Sequence, residues 1–285
     1  MPKFSLLCVH AHPDDEAIST GGILARYADE GIGVAVVTCT GGERGEIVGA
    51  GMDADEIRPR LGAVRHDELS RALEILGAGP PRLLGYIDSG MMGTDGNDDP
   101  ESFWRAPFDQ AVGRLVAHIR QLRPDVLVTY DAFGAYGHPD HIQAHRVAIA
   151  AVEAADVAAL YPDAGPAWRV RKVYYATIPS SAILRVNGWL AERGLPSPFG
   201  DIEHPDELPF GTPDELVTTA VDVRPWLERK RRALYAHTSQ IGPDSFFLNI
   251  PDDIAPAAFG QEWFIRQRSD VPAPRREDDL FAGLR

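Results

Sequence analysis

The sequence predicts an α/β fold: a doubly wound, mostly parallel sheet of Rossmann-like form with a smaller C-terminal α+β extension. Three observations predict it. Strand-like and helix-like runs alternate from residue 4 to residue 178, the order that builds a parallel sheet covered by helices on both faces. The strand-like runs are continuous and rich in β-branched residues, as strands buried on both faces are. Beyond residue 180 the alternation stops, and Pro, Gly and acidic residues accumulate. The expected organisation is a catalytic core over 1–180 and an extension over 181–285, packed on the core and completing the substrate site.

In order, residues 4–10 read as a first strand and 16–29 as a first helix, ended by Gly31. Residues 34–39 are a second strand, which closes a right-handed βαβ unit. Residues 58–76 form an amphipathic helix with Leu61, Val64, Leu69, Leu73 and Leu76 near one face. Its Arg65, His66, Asp67 and Glu68 read as a mostly solvated face, with Arg65 set apart by its closeness to the apolar stripe. Gly77 and Pro80-Pro81 end it. Residues 82–87 are a short strand, and 88–102 a long Gly-rich polar loop, suited to a lid or a substrate loop. Residues 108–122 form a helix, 125–130 a strand, and a helix opened by Pro139 continues to residue 152. A strand at 172–178 completes the regular pattern. Downstream, 183–193 reads as a helix, 195–213 as a surface loop, 216–223 as a strand of a smaller subdomain, and 224–237 as a basic, solvated helix. The tail from Arg266 should pack poorly, apart from Leu280 and Phe281.

Composition narrows the function. Apolar residues at 44% and charged residues at 25% belong to an ordinary globular chain. The net charge of −14 carries no basic nucleic-acid footprint and argues against an anionic membrane surface. Two cysteines, Cys8 and Cys39, sit in apolar runs and exclude a disulfide scaffold. No apolar run reaches the roughly 18 residues a membrane span needs, and a cytoplasmic location is expected.

Two polar clusters carry the chemistry. His12-Pro13-Asp14-Asp15-Glu16 follows the first strand, and Tyr136-Gly137-His138-Pro139-Asp140-His141 follows the strand at 125–130. In an open α/β sheet, ligands bind beyond the strands' C-terminal ends. An imidazole and a carboxylate three residues apart can share one Zn²⁺, and the adjacent carboxylate remains free as a base. The plainer alternative is a pair of helix-capping turns, but two such clusters that can converge on one crevice favour the metal. His145, four residues after His141, and His10 suit supporting positions better than ligation. His66, His118 and His204 have no partners in sequence. The glycines of Gly41-Gly42-Glu43-Arg44-Gly45-Glu46 lack the G-x-G-x-x-G order, and two glutamates repel phosphate, which disfavours a nucleotide-binding enzyme. A metal- or sugar-binding module without turnover would not need Asp14, Tyr136 and His138.

The two clusters together resemble those of the LmbE-like, or PIG-L, family of zinc-dependent N-deacetylases. Thr38 to Glu46, Asp88 to Thr94 and His237 to Gln240 add similarity to its mycothiol-pathway branch. The resemblance implies one Zn²⁺ per chain on His12, Asp15 and His141, with Asp14 as general base. It also implies Tyr136 as an oxyanion donor, His138 as a second donor or as the acid for the leaving amine, and Asp140 orienting that imidazole. The branch contains a deacetylase of the N-acetylglucosamine unit of GlcNAc-inositol and an amidase that removes a larger N-acetylcysteinyl arm. Ser19 stands where the amidase carries lysine, which favours the deacetylase. The amidase and the deacetylation of another N-acetylated sugar stay open. Ser19, Glu46, Arg65, Asp88, His237 and Gln240 are the expected substrate-binding residues of this hydrolase, and a small-molecule sugar its partner.

Overall fold

The computed structural model describes residues 2–197, 200, 202, 204–242 and 244–285. Of the loop expected at 195–213, residues 198, 199, 201 and 203 lie outside the described residues. The chain opens with β1 (Ser5–His10), α1 (Asp15–Ser19), α2 (Gly21–Asp29) and β2 (Gly33–Thr40). There follow α3 (Ala54–Ile57), α4 (Leu61–Leu76), β3 (Arg82–Tyr86), α5 (Phe108–Leu122) and β4 (Val126–Thr129). Next come the short turn α6 (Gly134–Gly137), α7 (Pro139–Ala155), β5 (Lys172–Thr177) and α8 (Ser180–Glu192). The chain ends with β6 (Thr219–Asp222), α9 (Leu227–Ala236), α10 (Phe246–Asn249), α11 (Ala255–Phe259) and β7 (Gln261–Ser269).

One seven-stranded sheet runs β3-β2-β1-β4-β5-β7-β6. The first five strands in that order are parallel, and β7 is antiparallel to both β5 and β6. Strand alternation splits the core across the sheet. Leu6, Cys8, Val36, Val126 and Val128 face α2 and α4 through Ile23, Leu24, Leu69 and Leu73. Leu7, Val9, Val37 and Leu127 face α5 and α7 through Leu115, Ile119, Val147 and Ala148. Both cysteines are buried and free. The connections reverse direction between β1 and β4, and that switch point is where the crevice of such a sheet opens. Among the described residues no helix is long and apolar enough to cross a membrane.

Four expectations need correction. The helix at 16–29 is two helices broken at Thr20, whose hydroxyl lies 2.9 Å from His10 Nε2 and bonds Glu16 O at 3.0 Å. Residues 219–222 are not part of a smaller subdomain but the edge strand of the same sheet. The tail is not loosely packed from Arg266: β7, unread in the sequence, inserts between β5 and β6, and Glu277 is buried behind it with Leu280 and Phe281. Polar residues on both sides of the short run Trp263-Phe264-Ile265 hide that strand, yet one of them, Glu262, is buried. Its carboxylate accepts Gly22 N and Ile23 N, each at 2.8 Å, and an ion pair to Lys230 at 2.6 Å. It thus satisfies the free N–H groups that open α2. The helix at 224–237 is correspondingly not solvated throughout, because Lys230 is inside. Gly22 is required there: a Cβ would lie 2.5 Å from Val223 Cβ.

Candidate active site

β1 delivers His12, Asp14 and Asp15 to the switch point, and the β4–α7 connection delivers Tyr136, His138, Asp140 and His141. Gly134 makes that connection possible. It adopts φ +67, and a Cβ there would strike His141 Cβ at 2.7 Å. His138 caps α7, its Nδ1 accepting from Asp140 N at 3.1 Å.

His12 Nδ1 lies 3.3 Å from His141 Nε2 and 3.6 Å from Asp15 Oδ2, and His141 Nε2 lies 3.5 Å from Asp15 Oδ1. These separations match the edges of a tetrahedron with ligand distances of roughly 2.0–2.2 Å. All three side chains are buried. Burial opposes the Asp15 anion, but His141 and His12 outweigh it and hold the carboxyl well below its usual range. Burial pushes His141 down to about 4, leaving it neutral. An ionised carboxylate and a neutral imidazole are the forms that bind a metal. Burial opposes a charged His12 as well, yet Asp140, Asp15 and Asp88 raise it well above the ordinary value. That concentration of carboxylates calls for a cation, and the residues present fit a divalent metal.

Outer contacts fix the ligands. Asp140 Oδ2 lies 3.2 Å from His12 Nε2, and the Asp140 carboxylate accepts Ser89 N at 2.8 Å as well as the Ser89 hydroxyl. Asp140 therefore orients His12 rather than His138, which meets only its backbone amide. The reason is local: at the start of α7 the amide points back at the cap while the side chain turns toward β1. Tyr130, not singled out from the sequence, donates its hydroxyl to Asp15 Oδ2 at 2.8 Å and accepts Ala11 N at 2.8 Å. His10 sits behind Tyr130 at 3.4 Å, and His145 Nδ1 lies 2.9 Å from Tyr130 O, so both are supports. Asp88, His138 and Asp140 also gather around His12. A proton on His12 Nε2 serves Asp140, however, and keeps Nδ1 for the metal.

Asp14 sits beside the ligands with one carboxylate oxygen 3.1 Å from Arg65 Nη2. Burial raises its pKa to about 6, with Arg65 opposing. The Tyr136 hydroxyl lies 3.5 Å from His141 Nε2, and burial followed by Asp15 raises its pKa, so it keeps its proton. Burial and then His12 push His138 down to about 4.

The expected substrate-binding residues divide. Ser19 is half-buried, Glu46 exposed, and Gln240 half-buried with its amide on Glu46 O at 2.9 Å. Arg65 and Asp88 are each 3% exposed and already engaged by the protein. Arg65 bonds Pro13 O, Asp14 and Gly42 O. Asp88 accepts Gly90 N at 2.8 Å and Arg44 N at 3.2 Å. His237 has no exposed surface and its Nε2 lies 2.6 Å from Glu16 Oε1. Its part in the site is indirect. Glu68, too, departs from the solvated face expected for it: it is buried, and its carboxylate accepts Thr238 Oγ1, Ser239 N and Ser239 Oγ. Only helical spacing could have exposed it, since Glu68 falls three residues after Arg65 on the same inward side. The 88–102 loop is pinned at its base by Arg44 on Asp88 O at 2.6 Å and by Asn97 on Ser89 O at 2.8 Å, while Met91 and Met92 stand exposed.

Residues 7–152 match the family model described as GlcNAc-PI de-N-acetylase, PIG-L. The chain is 47% identical, over 99% of its own length and 99% of the relative's, to the 1D-myo-inositol 2-acetamido-2-deoxy-alpha-D-glucopyranoside deacetylase of Geodermatophilus obscurus. In structure it resembles the N,N'-diacetylchitobiose deacetylase of Pyrococcus horikoshii, with TM-score 0.57 at 20% identity, covering 88% of this chain and 72% of that one. It equally resembles the 4-carboxy-2-hydroxymuconate hydratase of Pseudomonas putida, with TM-score 0.60 at 19% identity, covering 95% and 99%. A deacetylase and a hydratase on one fold show that the fold alone does not choose the reaction.

Proposed function

The chain belongs to the PIG-L family of de-N-acetylases, and from that premise we propose that it is a zinc enzyme hydrolysing the acetamide of GlcNAc-inositol, a step of mycothiol biosynthesis. The observation that carries the reading is the coincidence of a His12, Asp15, His141 donor triangle with a half-buried carboxylate outside it, Asp14, paired with Arg65. When bound, zinc supplies Lewis acidity toward the amide carbonyl and lowers the pKa of water to about 7.

The protein's own groups do the rest. Asp14 takes a proton from the attacking water. Its carboxylate form is needed, so the rate falls as pH drops through its pKa. Tyr136, held protonated, donates to the developing oxyanion. His138 accepts Asp140 N at Nδ1, so its neutral ring carries its proton on Nε2, where it donates a hydrogen bond to the oxyanion; only after gaining a second proton could it act as the acid for the departing amine. Ser19, Glu46 and Gln240 supply groups for the sugar and inositol hydroxyls, and Arg65 and Asp88 hold the loops that carry the site.

His138→Ala separates its two roles. As the amine's acid it must carry a second proton in the substrate complex, and its loss then flattens the basic limb of the kcat/KM–pH profile while metal content stays normal. A basic limb that is unchanged beneath a uniformly lower rate makes His138 an oxyanion donor instead. Metal analysis and a pH series on the same preparation decide it.

The acyl group is tested by kcat/KM for GlcNAc-inositol against a bimane conjugate of mycothiol. We expect the acetyl substrate to be preferred, because Ser19 offers no long cationic stem to a bulky arm and the 47%-identical relative is named for the acetyl substrate. A tenfold preference for the conjugate, about 1.4 kcal/mol, would reverse the assignment to the amidase. Poor activity on both would point to another N-acetylated sugar.

A further inference from the structure

We infer that Glu16 and His237 form a positioning pair that fixes the backbone of Asp14, the base of the proposed reaction, through one buried carboxylate. This deepens the reading of Asp14 as base and rests on it.

The observation that demands an explanation is the conformation of Asp14. Its φ is +124 and ψ −30, a region that L-residues other than glycine rarely enter. Such a conformation persists only where its surroundings over-determine it. Here every polar group around the residue is held. Arg65 Nη2 donates to Pro13 O and to Asp14 Oδ2. Asp14 O accepts Ala17 N and Ile18 N, each at 3.0 Å. The Asp14 amide donates to Glu16 Oε2 at 2.9 Å. Glu16 would otherwise be an ordinary residue of the first turn of α1, free to turn outward. Instead its side chain has no exposed surface, and its other oxygen, Oε1, lies 2.6 Å from His237 Nε2.

His237 arrives from a distant part of the chain, just past the end of α9. The turn that carries it is fastened to α4. Glu68 accepts Thr238 Oγ1 at 2.8 Å, Ser239 N at 2.8 Å and Ser239 Oγ at 2.7 Å. The same helix supplies Arg65. The two restraints on Asp14, the guanidinium at its carboxylate and the Glu16 carboxylate at its amide, are thus tied to one rigid element, directly and through the 237–239 turn. His237 donates to Glu16, Glu16 accepts from Asp14, and the strained peptide turns the Asp14 carboxylate beside His12 and Asp15. Neither Glu16 nor His237 needs to touch substrate.

The test uses the full-length, metal-loaded enzyme with Glu16→Ala, Glu16→Gln, His237→Phe and His237→Gln. For each, kcat, KM, metal per chain and thermal midpoint are measured. Glu16→Ala removes the acceptor and is expected to lower kcat at least tenfold, with KM within twofold and one metal per chain. Glu16→Gln keeps a carbonyl acceptor for the Asp14 amide and should recover most of the rate. His237→Phe should behave like Glu16→Ala, and His237→Gln, which can still donate to Glu16, should recover part. In an Asp14→Asn background, Glu16→Gln and His237→Phe should cost nothing further, because they act through Asp14. Full activity in folded His237→Phe, or equal losses in His237→Phe and His237→Gln, would overturn the proposal even if Glu16→Ala failed to fold. So would loss of metal alongside rate in Glu16→Gln. Full activity of Asp14→Asn alone would instead remove Asp14 as the base, an outcome separate from either.

Discussion

Asp14→Asn will keep one metal per chain and lose turnover by about 10³-fold, within the range general-base loss produces. Asp15→Ala and His141→Ala will lose the metal itself. The two aspartates are neighbours in sequence, but the structure gives them opposite surroundings. Asp15 completes the donor triangle, 3.5 Å from His141 Nε2, and its second oxygen is locked by Tyr130 OH and His12 N, each at 2.8 Å. Asp14 lies outside the triangle, paired with Arg65. Asparagine is the cleaner replacement because it tolerates positive φ better than alanine and still accepts from Arg65. Metal analysis of dialysed proteins, with an assay of released amine, gives the answer. A metal-free Asp14→Asn beside a fully loaded Asp15→Ala would invert the assignment.

Arg120→Met will destabilise the protein by about 3–5 kcal/mol, lowering Tm by on the order of 10 °C. Arg120 is 2% exposed on α5, and among the described residues it has no carboxylate partner. Its guanidinium instead donates to six carbonyls: Ala154, Ala155, Val157, Leu160, Tyr161 and Gly165. The first two close the last turn of α7, where carbonyls lack helical partners and carry the negative end of the helix dipole. Methionine fills similar volume but removes the charge-assisted donors from all six carbonyls, of which Ala154, Ala155, Val157 and Tyr161 keep a backbone N–H partner. Arg120→Lys should recover only part, since an ammonium has three donors and no planar fork. Denaturant midpoints of the three proteins test this, and a loss below about 1 kcal/mol for methionine would show that water replaces the guanidinium. Because α7 carries His141 at its other end, activity of the folded fraction should be nearly normal. Arg120 secures the helix, not the ligand's geometry.

What the sequence determined by itself is what repeats locally or sits next to a recognisable boundary. Alternating buried strands and amphipathic helices fixed the parallel sheet. Two clusters at strand ends, His12 to Glu16 and Tyr136 to His141, marked the candidate metal site, because such a cluster needs only its own spacing and the edge on which it falls; the choice of His12, Asp15 and His141 within it came from the family resemblance. Tertiary structure decided everything that depends on a partner far away in the chain. Glu68, Glu262, Lys230, Arg120 and His237 are all charged or polar residues, the kind a sequence alone gives no reason to bury, yet each is buried because a distant group satisfies it. Asp140 belongs to His12 rather than to its neighbour His138 because α7 turns its side chain toward β1 and the His12 that follows it. A buried charge is tolerable only with its partner in place, and the pairs here span up to 240 residues, as from Gly22 to Glu262. No local pattern encodes such a pairing; it exists only once the sheet has brought β1, β4 and β7 into register.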